Sequence, residues 1–213
     1  MVLQRALAYF ENARGIERRI PFGFEGNRLI VVPHAGYGKN AFYDRDIKSL
    51  EFYYFDVDNE VEEKNEDKDH KQEEKKSDIV KGRIYTCFST DIVNHEFGHD
   101  MLDGIRPDYM ESVLPETGAI HEFIGDFTAI LTALWNNEFR KWLADKTDGN
   151  LAEAKVLTSI AQQFGEAVSD KPYLRNAQNK LKMSDITADD GPHIISQVLI
   201  GEMFDILMKI ADS

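Results

Sequence analysis

The run His95-Glu96-Phe97-Gly98-His99 sets two histidines four residues apart in a segment of helical character. Residues at that spacing share one face of a helix, so His95 and His99 can offer two imidazole nitrogens to one metal ion. Glu96 stands beside such an ion rather than on it, where a carboxylate can take a proton from metal-bound water. Whatever fold the chain adopts must bring further ligands to this face. Gly98 adds a second constraint. A glycine inside a helix costs about 1 kcal/mol relative to alanine, and the close approach of another element would justify it.

The 213 residues suit one domain, or two small lobes, with a sizeable core. A net charge of −13 argues against a nucleic-acid partner, because phosphates demand a basic surface, and against docking on anionic membranes. No apolar run reaches the length of a membrane span, and the N-terminal residues lack the apolar core and cleavage site of a signal peptide. Cys87 is the sole cysteine, so no intramolecular disulfide can form. The expectation is a cytoplasmic location, unless the sequence is part of a longer secreted protein.

Residues 3–15 read as a helix, with Leu3, Leu7, Phe10 and Ala13 on one stripe. Arg28 to Pro33 and Leu50 to Phe55 read as short strands, and Arg83 to Phe88 as another. Asp56 to Lys76 is almost wholly polar, so the stretch 56–78 is expected to be a solvated mobile loop. Ser89, Thr90 and Asp91 offer N-caps for a helix from about Asp91 to Asp103 that Gly104 would end. Ile92, Phe97, Met101 and Leu102 supply its apolar contacts. A second helix runs from Pro115–Gly118 to about Trp135. More helix follows around Phe139–Ala144 and Leu151–Val168, and a last helix begins at Pro192. The fold class is α+β: a small β-rich N-terminal part (1–90), then a mainly helical part (91–213).

Catalytic zinc usually takes three protein ligands and keeps a fourth position for water. Glu122 and Asp126 lie four apart on the second helix, within an otherwise apolar stretch, and buried carboxylates need partners. Glu122 is read as the third ligand. Asp126 becomes the acceptor that fixes the tautomer of a ligand histidine through its distal N–H. The neighbouring His121 is read as a surface or locally bonded histidine.

At this point the chain resembles a known family. His95-Glu96-Phe97-Gly98-His99-Asp100-Met101-Leu102-Asp103-Gly104-Ile105, followed by Gly118-Ala119-Ile120-His121-Glu122-Phe123-Ile124-Gly125-Asp126-Phe127, is similar to the thermolysin-like zinc metallopeptidases, the gluzincins. Asp91-Ile92-Val93-Asn94 stands where that family has an acidic residue and two aliphatics. Asn40-Ala41-Phe42 resembles its edge-strand segment, Tyr173-Leu174-Arg175-Asn176 its arginine segment, and Asp190-Gly191-Pro192-His193 the stretch around its catalytic histidine.

The resemblance implies a thermolysin-like zincin catalytic domain, with zinc between the β-rich and helical lobes and a peptide or protein as substrate. Zinc on His95, His99 and Glu122 would activate water, with Glu96 as general base. His193 would stabilise the oxyanion, with Asp185, Asp189 or Asp190 available to orient its imidazole. Tyr109 would be the family's catalytic tyrosine. Asn40 and Ala41 would bind an extended peptide, Arg175 a substrate carbonyl, and Ile92 and Leu174 would line a pocket for an apolar side chain. The family's domain is longer at both ends, which implies a trimmed relative or a portion of a longer protein. Its calcium ligands are not apparent, so calcium is not expected as a requirement. The alternative is a zinc-binding relative with little or no turnover that acts as a binding or regulatory protein.

Overall fold

The computed structural model describes residues 1–12, 15–22, 28–60, 79–107, 109, 114–150, 159–160 and 175–211. Of the sequence expectations, Leu174, the stretch 61–78 and the helix over Leu151–Val168 fall outside these residues, except that Ser159–Ile160, expected as helix, form a short strand paired antiparallel with Arg175–Asn176. Helix α1 (Val2–Glu11) is followed by β1 (Ile30–Val32), β2 (Ala41–Asp44), β3 (Ser49–Phe52), β4 (Tyr54–Glu60) and β5 (Ile79–Tyr85). A single 3-10 turn, Thr86–Phe88, leads into α2 (Thr90–Ile105). Then come α3 (Pro115–Trp135), α4 (Asn137–Thr147), the short strands β6 (Ser159–Ile160) and β7 (Arg175–Asn176), and α5 (Pro192–Ala211). The class is α+β, with the helices carrying most of the core.

Strand β3 is the middle of a three-stranded sheet, parallel to β1 and antiparallel to β2, with Tyr43 opposite Leu50. The run Leu50–Phe55, expected as one strand, is two. At Tyr53 the chain leaves this sheet, its N–H donating to Asn40 O at 3.1 Å and its carbonyl accepting from Thr86 N at 3.0 Å. It then starts the β4–β5 hairpin, in which Tyr54 pairs with Tyr85. The polar stretch expected to begin a loop at Asp56 instead continues β4 to Glu60. Cross-strand pairing supplies what composition lacks: Arg83, opposite Asp56, donates from Nε to Asp56 Oδ1 at 2.7 Å.

Helix α2 is the centre of the molecule. Helix α3 packs along it, α5 covers another side of α3, and α1 and β2 also lie against α2. Phe97, 1% exposed, packs in a core with Ala6, Ile20, Phe22, Met101, Ile130, Ile200 and Phe204. Burying a side chain of that size contributes roughly 2–3 kcal/mol. Ser89 occupies the N-cap position of α2 but makes no side-chain cap; its hydroxyl donates to Asp91. Gly104 does not end the helix, which runs on to Ile105. A Cβ there would stand 2.4 Å from Pro21 O, so the glycine answers to packing rather than to termination.

The close approach anticipated for Gly98 is present. A Cβ on Gly98 would lie 2.8 Å from the Cα of Gly125, 3.0 Å from Thr128 Oγ1 and 3.1 Å from Ile124 O, all on α3. Two of these atoms are backbone, so relief requires α2 and α3 to separate. Gly98→Ala should therefore destabilise the protein by roughly 1–3 kcal/mol in urea unfolding, despite alanine's better helix propensity. A stabilised variant would mean the helices have room that the geometry denies.

Candidate metal centre

Helix α2 buries residues on nearly every side, including the polar Asn94, His95, Glu96, Asp100 and Asp103. Polar groups taken from water cost several kcal/mol unless they find partners, so each requires an account. His95 finds one on α3: its Nδ1 donates to Asp126 Oδ1 at 2.8 Å, and the Asp126 side chain is fully buried. A proton held on Nδ1 leaves Nε2 as the bare nitrogen, and that nitrogen points into a cluster. His99 Nε2 lies 3.0 Å from it, Glu122 Oε2 is 3.6 Å from His95 Nε2, and Glu122 Oε1 is 3.7 Å from His99 Nε2.

These three residues offer ligand atoms that all lie within 4.8 Å of one another, and they form the metal-capable group among the described residues. Ligand atoms of a tetrahedral site with bonds of about 2.0–2.1 Å stand roughly 3.3 Å apart. The observed separations bracket that value, so the residues fit a small divalent transition metal. The fit depends on Gly125. A Cβ at that position would sit 2.6 Å from His95 Nδ1 and 2.7 Å from His95 Cε1, so any larger residue would displace the ring.

His193, in the first turn of α5, reaches the same carboxylate from the solvent side. Its Nε2 is 3.3 Å from Glu122 Oε2, and its side chain is 65% exposed against 14% for Glu122. None of the three aspartates expected to orient it does so. Asp185 accepts from Lys182 N, Asp190 accepts from both the N–H and the hydroxyl of Thr187, and Glu122 is the ring's polar partner among the described residues.

Glu96 is buried at 7% exposure next to His95 on α2. Asn40 is exposed at the start of the edge strand β2, where its Oδ1 accepts from Ala41 N at 3.0 Å and its carbonyl from Tyr53 N. Ala41 is half-buried and Ile92 is buried. Arg175 lies on β7, which is tied to α5 through Asn179: its side-chain amide donates to Asn176 O and Gln197 O. Tyr109, 41% exposed in the turn after α2, joins no side-chain hydrogen bond among the described residues. The structure therefore brings together His95, His99, Glu122, Asp126 and His193, and Tyr109 makes no side-chain hydrogen bond to any of them among the described residues.

Sequence reasoning missed a second buried polar cluster along α2. Asp103, whose side chain is fully buried, accepts from the Tyr43 hydroxyl at 2.8 Å and from Lys48 Nζ at 2.5 Å, and pairs with Arg45 Nε at 3.2 Å. The Tyr43 proton goes to Asp103, leaving both oxygens of Asp100 without a hydrogen-bond partner among the described residues. His121 is buried, not superficial: its ring lies 5.7 Å from that of His99, and neither nitrogen has a hydrogen-bond partner among the described residues. Burial lowers the His121 pKa and keeps the ring neutral. The available signal was the spacing His95, His99, Asp103, which continues the ligand stripe by one more turn.

Asp126→Ala should weaken binding of a divalent transition metal such as zinc by about 10- to 100-fold in a chelator competition titration, the usual effect of losing the group behind a ligand histidine. An unchanged affinity would show that the Asp126 contact does not tune His95. Burial pushes the Asp100 pKa from 3.8 up to about 7, with Asp103 adding to the rise and Lys48 opposing it. The folded chain then holds a proton that the unfolded chain releases near pH 4. Its stability therefore falls as pH rises from about 4 to about 7 and stays lowered above. In metal-free protein, Asp100→Asn should remove that fall, gaining roughly 2–4 kcal/mol relative to wild type between pH 4 and pH 8. Parallel pH curves for the two proteins would refute the buried, protonated carboxyl.

No protein-family model matches the chain, and no curated protein or solved structure matches it either.

Proposed function

We propose that the chain is a zinc-dependent endopeptidase of the thermolysin-like, gluzincin type. The observation that carries this reading is the convergence of His95 and His99 from α2 with Glu122 from α3, backed by Asp126 on His95. Two imidazoles and one carboxylate, with no thiolate, make the donor set of a catalytic zinc site that keeps a position for water. No helix among the described residues is long and apolar enough to cross a membrane.

When bound, zinc supplies a Lewis acid that polarises a carbonyl and brings the pKa of water down to about 7. The remaining work falls to the chain. Glu96 takes the proton of the attacking water and passes it to the leaving amine. Asp126 keeps His95 in the tautomer that ligates through Nε2. His193 donates its Nε2–H to the oxygen on which negative charge develops, from the solvent side of Glu122. Asn40 and the backbone of Ala41 receive an extended peptide along the sheet edge, and Arg175 holds one of its carbonyls. A hydrophobic residue after the scissile bond would pack against Ile92.

The test is digestion of a diverse unstructured peptide mixture, read by mass spectrometry, with zinc-loaded protein beside Glu96→Gln. Cleavage at defined bonds that falls by at least about 100-fold in the variant, while zinc content stays equal, is the expected result. Folded, zinc-loaded wild type that cleaves nothing would replace this reading with a zinc-binding protein that has lost turnover.

A further inference from the structure

Asp103 lies four residues beyond His99, so the stripe of α2 that carries the metal-ligating histidines also carries this carboxylate. Its side chain is fully buried, a costly position for a charge, and all three of its partners come from one place. Tyr43 is on β2, and Arg45 and Lys48 are on the turn joining β2 to β3. Lys48 also stands 5.9 Å from the centroid of the Tyr43 ring, and Tyr43 is 7% exposed. The arrangement closes a loop of contacts from the ligand helix to the sheet edge and back.

The other face of this arrangement is the strand itself. Hydrogen bonds to β3 hold one side of β2, and its second side is the edge of the three-stranded sheet. Those bonds fix β2 within the sheet but not the sheet's height over α2. The contact that crosses from β2 to α2 with a buried hydrogen bond is Tyr43 to Asp103. Ala41 and Tyr43 lie on one face of the strand, and a strand rises about 3.3 Å per residue. An anchor at Tyr43 therefore sets the position of Asn40 and Ala41 within roughly 10 Å of it.

We infer that Asp103 is a positioning residue: by gripping Tyr43, Arg45 and Lys48 it holds the β2 edge at a fixed distance from His95 and His99. This rests on the peptidase reading for its consequence, because the edge is where that reading seats the substrate main chain. The anchor is built from Asp103, Tyr43, Arg45 and Lys48, none of which is a ligand or the base, so it governs how substrate is held rather than the chemical step.

The experiment uses Tyr43→Phe, which keeps the ring and removes the single hydroxyl. Three quantities are compared with wild type: zinc affinity, kcat and KM on a peptide that wild type cleaves, and hydrogen exchange of the β2 amides from Phe42 to Asp44. The expected result is unchanged zinc affinity, kcat within about twofold, KM raised about fivefold, and faster exchange at β2, the size that loss of one buried hydrogen bond to a charged acceptor allows. A lowered melting temperature with unchanged KM and unchanged β2 exchange overturns the inference, since a purely structural bond would do only that. If wild type cleaves no peptide, the peptidase reading fails separately. Exchange then decides the anchor: faster exchange supports it, and unchanged exchange overturns it.

Discussion

The near contact of Gly98 with Gly125 sets the distance between α2 and α3, and the metal-capable group depends on that distance. Histidines on one helix and a carboxylate on another can share an ion only if their backbones run close enough for short side chains to meet. A Cβ on Gly98 would stand 2.8 Å from the facing backbone, and one on Gly125 would enter the His95 ring. The approach costs helix propensity at both positions. It also presses the His95 imidazole against α3, where Asp126 fixes its orientation at 2.8 Å.

Around this contact the molecule accumulates buried polarity that a stability argument alone would not favour. His95, Glu96, Asp100, Asp103, His121 and Asp126 are all buried in or beside the same helix pair. Some are reconciled by partners, as Asp103 is by Tyr43, Lys48 and Arg45. Burial raises the Asp100 pKa to about 7, so the uncharged form is favoured below neutral pH. Proteins place such groups where chemistry needs them and recover the loss elsewhere, here in the apolar core of Phe97, Ile130, Ile200 and Phe204.

Much of this was legible before any coordinates. The spacing of His95 and His99, the acidic pair Glu122 and Asp126, and the odd Gly98 together predict a close helix pair, and such a pair is found, with a metal-capable group between its members. The extents of α3 and the start of α5 also follow from the sequence, because Pro115 and Pro192 open them. What was not legible shares one cause. Amphipathic reasoning assumes that a helix has a solvent face, and α2 has almost none, so Asp103 was read as the end of the helix, His121 as a surface or locally bonded residue, and Asp100 was given no role. The break at Tyr53 was hidden because Leu50–Phe55 reads equally well as one strand; only pairing with Asn40 and Thr86 divides it. Likewise Asp56–Glu60 looked like loop until β5 supplied a partner strand.

His193 lies on the solvent side of Glu122, at the head of α5, behind a turn that Asp190 closes onto Thr187. The metal-capable group is therefore written on α2 and α3, while His193, which reaches Glu122 from the solvent side, is written on α5. His193 lies more than fifty positions beyond the end of α3. A change at the exposed His193 can alter that solvent-facing side without disturbing the helix pair. The glycine-locked helix pair, by contrast, tolerates almost no change at its facing positions. The architecture divides the protein into a part that must stay fixed and a part free to diversify.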